Sequence, residues 1–297
     1  MTKKVLMTVI CLTLTTAAQA QQSDAEMQAQ VAELIASVEA SKLVQDSIDV
    51  SSLVAVYDYS CRTKDADGKA VTDGMKLCVQ VGRHCTRSYP YRKFREDTAG
   101  EDIWSDSGLI LLKKESYCYM PEVWTNYPDD QTTVRDAIIP MIYEAREKRK
   151  PIQWELMDAG EATCLLHGRR WTVRYNEDIP TTAGPWKLCG LPGLIVEATS
   201  EDSIHHFALA DLQHVATPIY YEHSAITTNI SEQKLIKDRI KIFGNKRYPK
   251  TPSYYMPDLG TMNVNDVYCE IEGESYLMIN WVLELKEAHV FQPLEKE

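Results

Sequence analysis

Histidine and cysteine side chains are the first candidates for chemistry, because they supply nucleophiles, general bases and metal ligands. His84 and Cys85 are adjacent in the sequence, as are His205 and His206. Neighbouring side chains of an extended strand point to opposite faces, so neither pair is expected to share one site. A structural or surface role is the simpler interpretation of both histidine pairs, and a thiolate–imidazole pair at Cys85 would require a local bend.

Other patterns that could do chemistry are incomplete. Glu270, Glu272 and Glu274 would line one face of a strand and hint at a cation site, but Gly273 favours a solvated turn. Residues 65–68 match part of a calcium loop and lack its remaining ligands, so they are interpreted as a turn. The sequence contains no nucleophile elbow, zinc-protease helix, phosphate loop or dinucleotide-binding glycine motif. We therefore expect no cofactor and no metal centre.

The first twenty residues have the three-part pattern of a cleaved export signal. Lys3 and Lys4 are basic, residues 5–17 are apolar, and Ala18-Gln19-Ala20 is a small-residue cleavage site. The apolar stretch is shorter than the ~20 residues that span a bilayer, so we expect cleavage after Ala20 rather than an anchor. Removing twenty residues with two lysines and no acid leaves 277 residues with a net charge of −13. The predicted location is the periplasm, the outer-membrane surface or the medium.

Export determines how the cysteines are interpreted. Seven remain after cleavage, and an oxidising compartment would allow some to pair, although an odd number leaves at least one without an intramolecular partner. Zinc sites favour closely spaced pairs backed by a second pair or by histidines, and that spacing is missing. Disulfides or buried thiols are therefore the preferred interpretation of Cys61, Cys78, Cys85, Cys118, Cys164, Cys189 and Cys269.

Composition excludes several classes of protein. The chain has 297 residues and is 44% hydrophobic, which is enough for a sizeable core and argues against disorder. Its 43 acidic and 32 basic side chains give a net charge of −11, which argues against nucleic-acid binding. Residues 89–95 interleave aromatic and basic side chains as a single-strand platform does. Because the chain is acidic, an exposed loop or edge strand is the simpler interpretation of that segment.

The hydrophobic periodicity predicts an α+β protein: one domain with a curved antiparallel β-sheet meander, an N-terminal helix and one or two further helices. The N-terminal helical segment is assigned to residues 21–50, with its amphipathic part at 25–43. Helices are also predicted at residues 129–150 and 231–243. Strands and hairpins are predicted at residues 52–59, 75–81, 108–112, 153–157, 162–167, 169–175, 193–199, 204–212 and 276–285.

The connection between two of these strands, residues 179–193, is rich in proline and glycine. Ile179-Pro180 ends the first strand in extended geometry, because a residue before proline avoids the helical region. Residues 190–193 form a second turn, in which Gly193 is predicted to adopt a positive φ. Such a connection either clamps its apolar residues onto its own sheet or forms the rim of a binding face, and the clamp is preferred.

This segment resembles the GLPGLI family, exported proteins of Gram-negative bacteria named for the hexapeptide at residues 190–195. The matching residues are Asp178, Ile179, Pro180, Gly184, Pro185, Trp186, Gly190, Leu191, Pro192, Gly193, Leu194 and Ile195. Trp154, Cys164 and Gly168-Arg169 resemble the family's approach to the motif, whereas Leu188 replaces its usual aromatic residue. The resemblance covers residues 150–215 and implies an envelope location. The family has no established activity, so it implies no catalytic residue.

The predicted organisation is a signal peptide (1–20), a helical segment (21–50) and a GLPGLI-like β-rich domain (51–297). The first hypothesis is a non-enzymatic envelope protein that binds an envelope protein or a small apolar ligand, without nucleic acid and without spanning the membrane. A hydrolase with a non-motif active site and a purely structural assembly component are the alternatives. Convergent carboxylates or a Cys–His contact would favour the hydrolase, and a large exposed apolar patch the structural component.

Overall fold

The computed structural model describes residues 44–65, 68–99, 119–138, 141–157, 160–223, 227–244 and 290–296. It also describes the backbone of four short strands between residues 253 and 277. The predicted signal peptide, the predicted helix at residues 25–43 and the predicted strand at residues 108–112 lie outside these ranges.

Strands dominate the described residues. They are β1 (Val44–Lys64), β2 (Ala70–Gly82), β3 (Thr86–Pro90), β4 (Glu122–Thr125), β5 (Gln131–Ile138), β6 (Met141–Lys148), β7 (Trp154–Leu156), β8 (Glu161–Leu166), β9 (Arg169–Asn176), β10 (Leu194–Ser200), β11 (His205–Gln213), β12 (Pro218–His223), β13 (Thr227–Asn229), β14 (Ser253–Met256), β15 (Gly260–Asn263), β16 (Tyr268–Ile271) and β17 (Glu274–Leu277). The two helices are α1 (Tyr91–Ala99) and α2 (Glu232–Gly244).

One 13-stranded sheet joins β1 to β13 in the order β13-β6-β5-β4-β3-β2-β1-β11-β10-β9-β8-β7, and β12 pairs with the first part of β1. All of its pairs are antiparallel except β13 with β6, which makes the sheet mixed. The long β1 is therefore the central strand. Its first residues pair with β12 and its later residues pair with both β2 and β11.

The predicted α+β class with an N-terminal helix is wrong. The described chain is mostly β-sheet with two short helices, and residues 44–50, assigned to the helical segment, begin β1. The hairpins predicted around residues 65–68, 158–161 and 200–202 are confirmed, as is the helix at residues 231–243. The alternation of apolar and polar residues predicted these hairpins correctly because the two strands of each hairpin are close in sequence.

The helix predicted at residues 129–150 is instead the hairpin of β5 and β6. Thr132, Thr133 and Val134 are β-branched and favour a strand, and Pro140 lies between the two strands. Val134 pairs with Ala145, and both are buried. The charged end of this segment is exposed at Arg146, Lys148 and Lys150, as predicted, but it belongs to β6 and the two residues after it rather than to a helix.

Side chains are buried on both faces of the central strands. On the core face, Tyr57 and Val79 contribute to the large hydrophobic cluster that also contains Trp171, Trp186 and Phe207. On the second face, Val54, Val56, Cys78, Tyr89 and Phe94 form a smaller cluster beneath α1. The connection 177–193, α2 and the segment 290–296 contribute Leu188, Leu235 and Leu294 to the core face.

Candidate functional site

The motif connection folds back on itself over the core face. The backbone N–H of Gly190 donates to the carbonyl of Thr182, and that of Ile195 donates to the carbonyl of Ala183. Seven of the motif residues are buried: Gly184, Pro185, Trp186, Leu191, Gly193, Leu194 and Ile195. Asp178, Pro180, Gly190 and Pro192 are exposed, and Ile179 is half-buried. The connection thus has an apolar side in the core and a polar outer edge.

Gly193 does not have the positive φ that the sequence predicts; Gly190 does, with a φ of 100°. At Gly193 a side chain is excluded for another reason, because a Cβ there would lie 2.1 Å from the backbone oxygen of Asn176. The turn therefore needs both glycines, one for its left-handed backbone and one for close approach of β9. The local signal identified a turn but could not show which strand approaches it.

Trp186 anchors the connection in an uncommon conformation, with a φ of 55°. Its backbone N–H donates to Ser88 Oγ at 2.8 Å. Its ring lies between those of His167 and Trp171, with centroid distances of 5.8 and 5.7 Å. His167 also has a positive φ, of 47°. Trp186 and His167 are thus two non-glycine residues in contact that both have strained backbones. Such strain is enriched at functional sites, so this position is a candidate site.

The residue after Trp186 is a buried lysine at the centre of a charged cluster. Lys187 Nζ donates to Glu232 at 2.6 Å, to Glu295 at 3.3 Å and to His167 Nε2 at 3.3 Å. Because an ammonium only donates, Nε2 of His167 is the acceptor in this contact. The Lys187 side chain is 6% exposed, whereas those of His167 and Glu232 are 22% and 18% exposed. The cluster therefore reaches solvent through His167 and Glu232.

The cluster continues inward to Arg239 on α2. Arg239 Nη1 donates to both oxygens of Glu295 at 2.8 Å, and its Nε donates to Asp136 at 2.9 Å. Tyr119 donates a further hydrogen bond to Asp136, at 2.5 Å. The name Lys187 cluster is used below for His167, Lys187, Glu232, Arg239, Glu295 and Asp136. Its members come from five separate parts of the chain.

Burial and charge act in opposite directions on the carboxyl groups of the cluster. Burial by itself raises the pKa of Glu295, but the charges of Arg239 and Lys187 outweigh burial and lower this pKa to about 2. The same balance, with Lys187 as the main partner, lowers the pKa of Glu232. Burial raises the pKa of Asp136 despite Arg239. Burial and the charge of Lys187 both lower the pKa of His167, so this imidazole is neutral near pH 7.

A second buried charged group lies on the second face. It is an arginine–aromatic stack in which guanidinium groups and rings alternate: Tyr89, Arg87, Trp124, Arg135, Tyr221 and Arg146. The distances from guanidinium carbon to ring centroid lie between 3.8 Å, for Arg87 over Tyr89, and 5.4 Å, for Arg146 over Tyr221. Cation–π attraction is strongest where such groups are desolvated, as Arg87 and Arg135 are here.

Carboxylates neutralise the guanidinium groups of this stack. Arg87 donates to Glu122 at 2.8 Å and to Asp97 at 2.9 Å. Glu144 accepts from Arg135 at 2.7 Å, and also from Arg146 and the Tyr221 hydroxyl. Adjacent strands supply most of the stack, because Arg87 pairs in register with Trp124 and Arg135 with Glu144.

The interpretation of residues 89–95 as an exposed loop or edge strand is wrong. Tyr89 is fully buried, and its hydroxyl donates to Gln80 at 2.8 Å. Residues 91–99 form α1, whose Lys93 donates to Glu222 at 2.6 Å. The interleaved basic and aromatic residues are thus part of the second face of the sheet, so they do not form an exposed nucleic-acid platform.

The adjacent histidines behave as predicted. His205 is buried on the core face, and His206 is half-buried and hydrogen bonded to Thr199 at 2.9 Å. The backbone N–H groups of His84 and Cys85 donate to one carboxylate oxygen of Asp49, at 2.7 and 3.1 Å. Within the described part of the chain, no group of three or more His, Cys, Asp or Glu residues is arranged to hold a metal ion.

No disulfide links any two of the five cysteines whose side chains are described: Cys61, Cys78, Cys85, Cys164 and Cys189. The first four are buried, and Cys189 in the motif connection is partly buried. Burial raises the pKa of Cys85 and of Cys164 to about 12, which makes these thiols poor nucleophiles. Cys118 and the side chain of Cys269 lie outside the described residues.

The sequence interpretation missed every titratable member of the Lys187 cluster. A signal was present in α2, where Arg239 lies four residues after Leu235 on the face otherwise occupied by apolar side chains. A lysine between the apolar residues Trp186 and Leu188 was a second signal. His167, Asp136 and Glu295 gave none, because only the tertiary fold brings them to Lys187.

Comparison with known proteins adds little to this description. No protein-family model and no curated protein matches the chain. Two crystal forms of PNGF-II resemble it over 65% of this chain and 33% of that chain, with 10% sequence identity and TM-scores of 0.36 and 0.34. The chain spans about a third of the length of these structures. Similarity at this level supports no inference about fold or activity.

Proposed function

We propose that the protein is an exported, non-enzymatic envelope protein of the GLPGLI type that binds a partner at the rim of the Lys187 cluster. The proposal rests on one observation: the connection that carries the motif places Lys187 behind two partly exposed polar side chains. Glu232 offers a carboxylate acceptor at this rim, and His167 offers a neutral imidazole. A binding face of this kind needs a rigid support, which the buried side of the connection supplies.

Binding is preferred to catalysis because the charged groups already neutralise one another. Glu232 and Glu295 share Lys187, and the pKa values of both carboxyl groups are lowered. Neither carboxyl group therefore holds a proton near neutral pH, as a general acid must. The Nε2 atom of His167 accepts from Lys187 and is not available as a base.

Hydrolysis is the second candidate function, favoured by the convergence of two carboxylates and a histidine on Lys187. Convergent titratable groups and strained backbone are both enriched at active sites. If the site is catalytic, a screen with ester, peptide and glycoside substrates should show turnover that His167→Gln removes. If neither the wild-type chain nor this variant turns over any of these substrates, hydrolysis is rejected and binding is retained.

A purely structural assembly role has less support. Five large hydrophobic side chains are exposed among the described residues: Val50, Leu156, Met157, Leu165 and Val215. Leu156 pairs with Ala162, and Leu165 pairs with Arg170, so strand alternation directs these two side chains to opposite faces of one hairpin. No helix within the described residues is long and apolar enough to cross a membrane.

The test uses the full chain, expressed with its own N-terminus in a Gram-negative host. Intact mass of the exported product should correspond to cleavage after Ala20. A cross-linked partner should be captured by the wild-type protein and lost with Glu232→Gln. The matched control is Arg174→Gln, which removes the exposed pair with Glu197. Partner capture that is equal in both variants would place binding elsewhere, and an uncleaved chain retained in the cytoplasm would refute export.

A further inference from the structure

The segment 290–296 is bound to the rest of the protein as a peptide is bound in a groove, with a bend at Leu294 and Glu295. His205 Nε2 donates to the carbonyl of Pro293 at 3.0 Å. Arg169 donates to the same carbonyl at 3.0 Å and to that of Leu294 at 3.1 Å. Further backbone contacts hold the ends of the segment: Val290 N to Lys64 O, Thr63 Oγ1 to Val290 O, and Lys296 N to His167 O.

Two side chains of the segment enter the protein. Leu294 is 3% exposed and belongs to the main hydrophobic cluster. Glu295 is fully buried, and its carboxylate accepts from Arg239 and from Lys187. Lys296, at the exposed end, pairs with Asp202 at 2.9 Å. The groove therefore recognises backbone carbonyls, one apolar side chain and one carboxylate, which together can select a peptide of defined sequence.

The donors of this groove are held in place by contacts that do not involve the segment. Arg169 also pairs with Asp202, and His205 Nδ1 is hydrogen bonded to the Tyr59 hydroxyl at 2.8 Å. Apart from their contacts with Glu295, Arg239 forms an ion pair with Asp136 and Lys187 forms one with Glu232. Because these partners belong to other parts of the fold, each donor has at least one contact that does not depend on the segment.

Charge complementarity identifies the kind of ligand. The chain carries a net charge of −11, yet three buried cations, Arg169, Lys187 and Arg239, face this one segment. Glu295 joins two of these cations, because its carboxylate accepts from both Arg239 and Lys187. A ligand that replaces the segment must therefore supply a carboxylate at this position.

We propose that this groove is a recognition site for a segment of a partner protein with the sequence character Pro-Leu-Glu, and that residues 290–296 are its tethered occupant. The inference rests on the proposed binding function and names the partner's chemistry. Forty-five residues separate the segment from the end of α2. Because the segment and the groove belong to one chain, the segment meets the groove at a high effective concentration and competes with any separate partner.

The experiment uses full-length chains and a fluorescent synthetic peptide with the sequence of residues 288–297. Glu295→Lys in the protein should release the tethered segment, and this variant should bind the peptide at least about tenfold more tightly than the wild-type chain. A peptide with Gln in place of the glutamate at position 295 should bind at least about tenfold more weakly, because the charged hydrogen bonds to Arg239 and Lys187 are lost. A scrambled peptide is the control.

If Glu295→Lys fails to fold, Leu294→Ser weakens the same segment while retaining its charge, and it should give the same order of affinities. Equal binding by the wild-type and variant chains, or equal binding of the native and scrambled peptides, would overturn the inference. If the wild-type chain forms dimers that dissociate when free peptide is added, the groove binds a second copy of this chain. That result would overturn the inference that the partner is a different protein. If the protein captures a partner through Glu232 but does not bind the peptide, this inference is overturned and the proposed function stands.

Discussion

The arginine–aromatic stack and the Lys187 cluster bury similar charges on opposite faces of one sheet, but they are assembled differently. In the stack, paired positions of neighbouring strands supply most of the cations and acids, as Arg135 and Glu144 show. In the Lys187 cluster, a loop, a helix, a hairpin turn, strand β5 and the segment 290–296 each bring one or two titratable side chains. The first arrangement is part of the sheet itself, and the second connects parts of the chain that are distant in sequence.

This difference affects what each region can do. Loss of one member of the stack disturbs strand pairing directly, so the stack is tied to global stability. Loss of one member of the Lys187 cluster instead removes contacts between parts of the chain that are distant in sequence, and it leaves the pairing of the strands intact. Buried ion pairs are poor contributors to net stability but are costly to break, so both regions are sensitive to removal of one partner.

The largest effect is expected from Arg135→Met in the stack. Arg135 is 2% exposed and lies between Trp124 and Tyr221, so its loss leaves Glu144 buried with less compensation. We expect the free energy of unfolding in urea to fall by about 3–5 kcal/mol. Arg146→Met is the matched control, because Arg146 is 39% exposed and should cost under about 1 kcal/mol. Equal decreases of the free energy of unfolding in the two variants would show that burial of the arginine does not determine the size of the decrease.

The next effect concerns the connection that carries Lys187. Gly193→Ala should destabilise the protein by about 3 kcal/mol, because the new Cβ meets a backbone oxygen that cannot rotate away. Gly190 has a positive φ, and a Cβ there would lie 3.7 Å from its nearest atom. Gly190→Ala should therefore lower the free energy of unfolding by only about 1 kcal/mol. Thermal unfolding of both variants measures the order. A larger loss at Gly190 than at Gly193 would contradict the close approach of β9.

Acid should affect both regions through carboxyl groups whose pKa is lowered to about 2, Glu295 in the Lys187 cluster and Glu222 beside the stack. A lowered pKa contributes stability that is present above the unfolded value, near 4.5, and is lost as the pH falls towards 2. Glu295→Gln and Glu222→Gln should each flatten this acid limb, by on the order of 2 kcal/mol.

Hydrogen exchange separates the two regions during this acid titration. Protonation of Glu295 should increase amide exchange at Lys296, whose N–H donates to His167, before exchange increases in β5. Simultaneous loss of protection at both positions would show that the segment is as firmly held as the sheet, and would weaken the contrast between the two regions.

The smallest effect is on thiol reactivity, with no change in stability. At pH 8 the folded state should hold roughly 10³-fold less thiolate at Cys164 than the unfolded chain, because burial raises its pKa to about 12. Iodoacetamide labelling followed by mass spectrometry should therefore modify Cys164 slowly until urea is added. Labelling at the unfolded rate in native protein would mean that the core face beside the motif connection opens readily.

The sequence predicted those elements whose partners are close along the chain. The β1–β2 and β10–β11 hairpins follow from alternation and turn residues, and α2 follows from Leu235, Ile236 and Ile240. The segment 129–150 was misassigned because its charges suggested a solvated helix, whereas pairing places Arg135 and Glu144 inside the protein. The candidate site was only half visible: the motif connection was identified, but the charges around Lys187 were not.

By itself, the sequence determined the hairpins between strands that are close along the chain, the acidic net charge, and the turn positions around Gly190 and Gly193. Local sterics and composition are sufficient for these, because each depends on neighbouring residues. Only the tertiary structure decided that Lys187 meets His167, Glu232 and Glu295, and that residues 290–296 occupy a groove. Those contacts join distant parts of the chain, and long-range pairing of buried charges leaves no pattern in the local sequence.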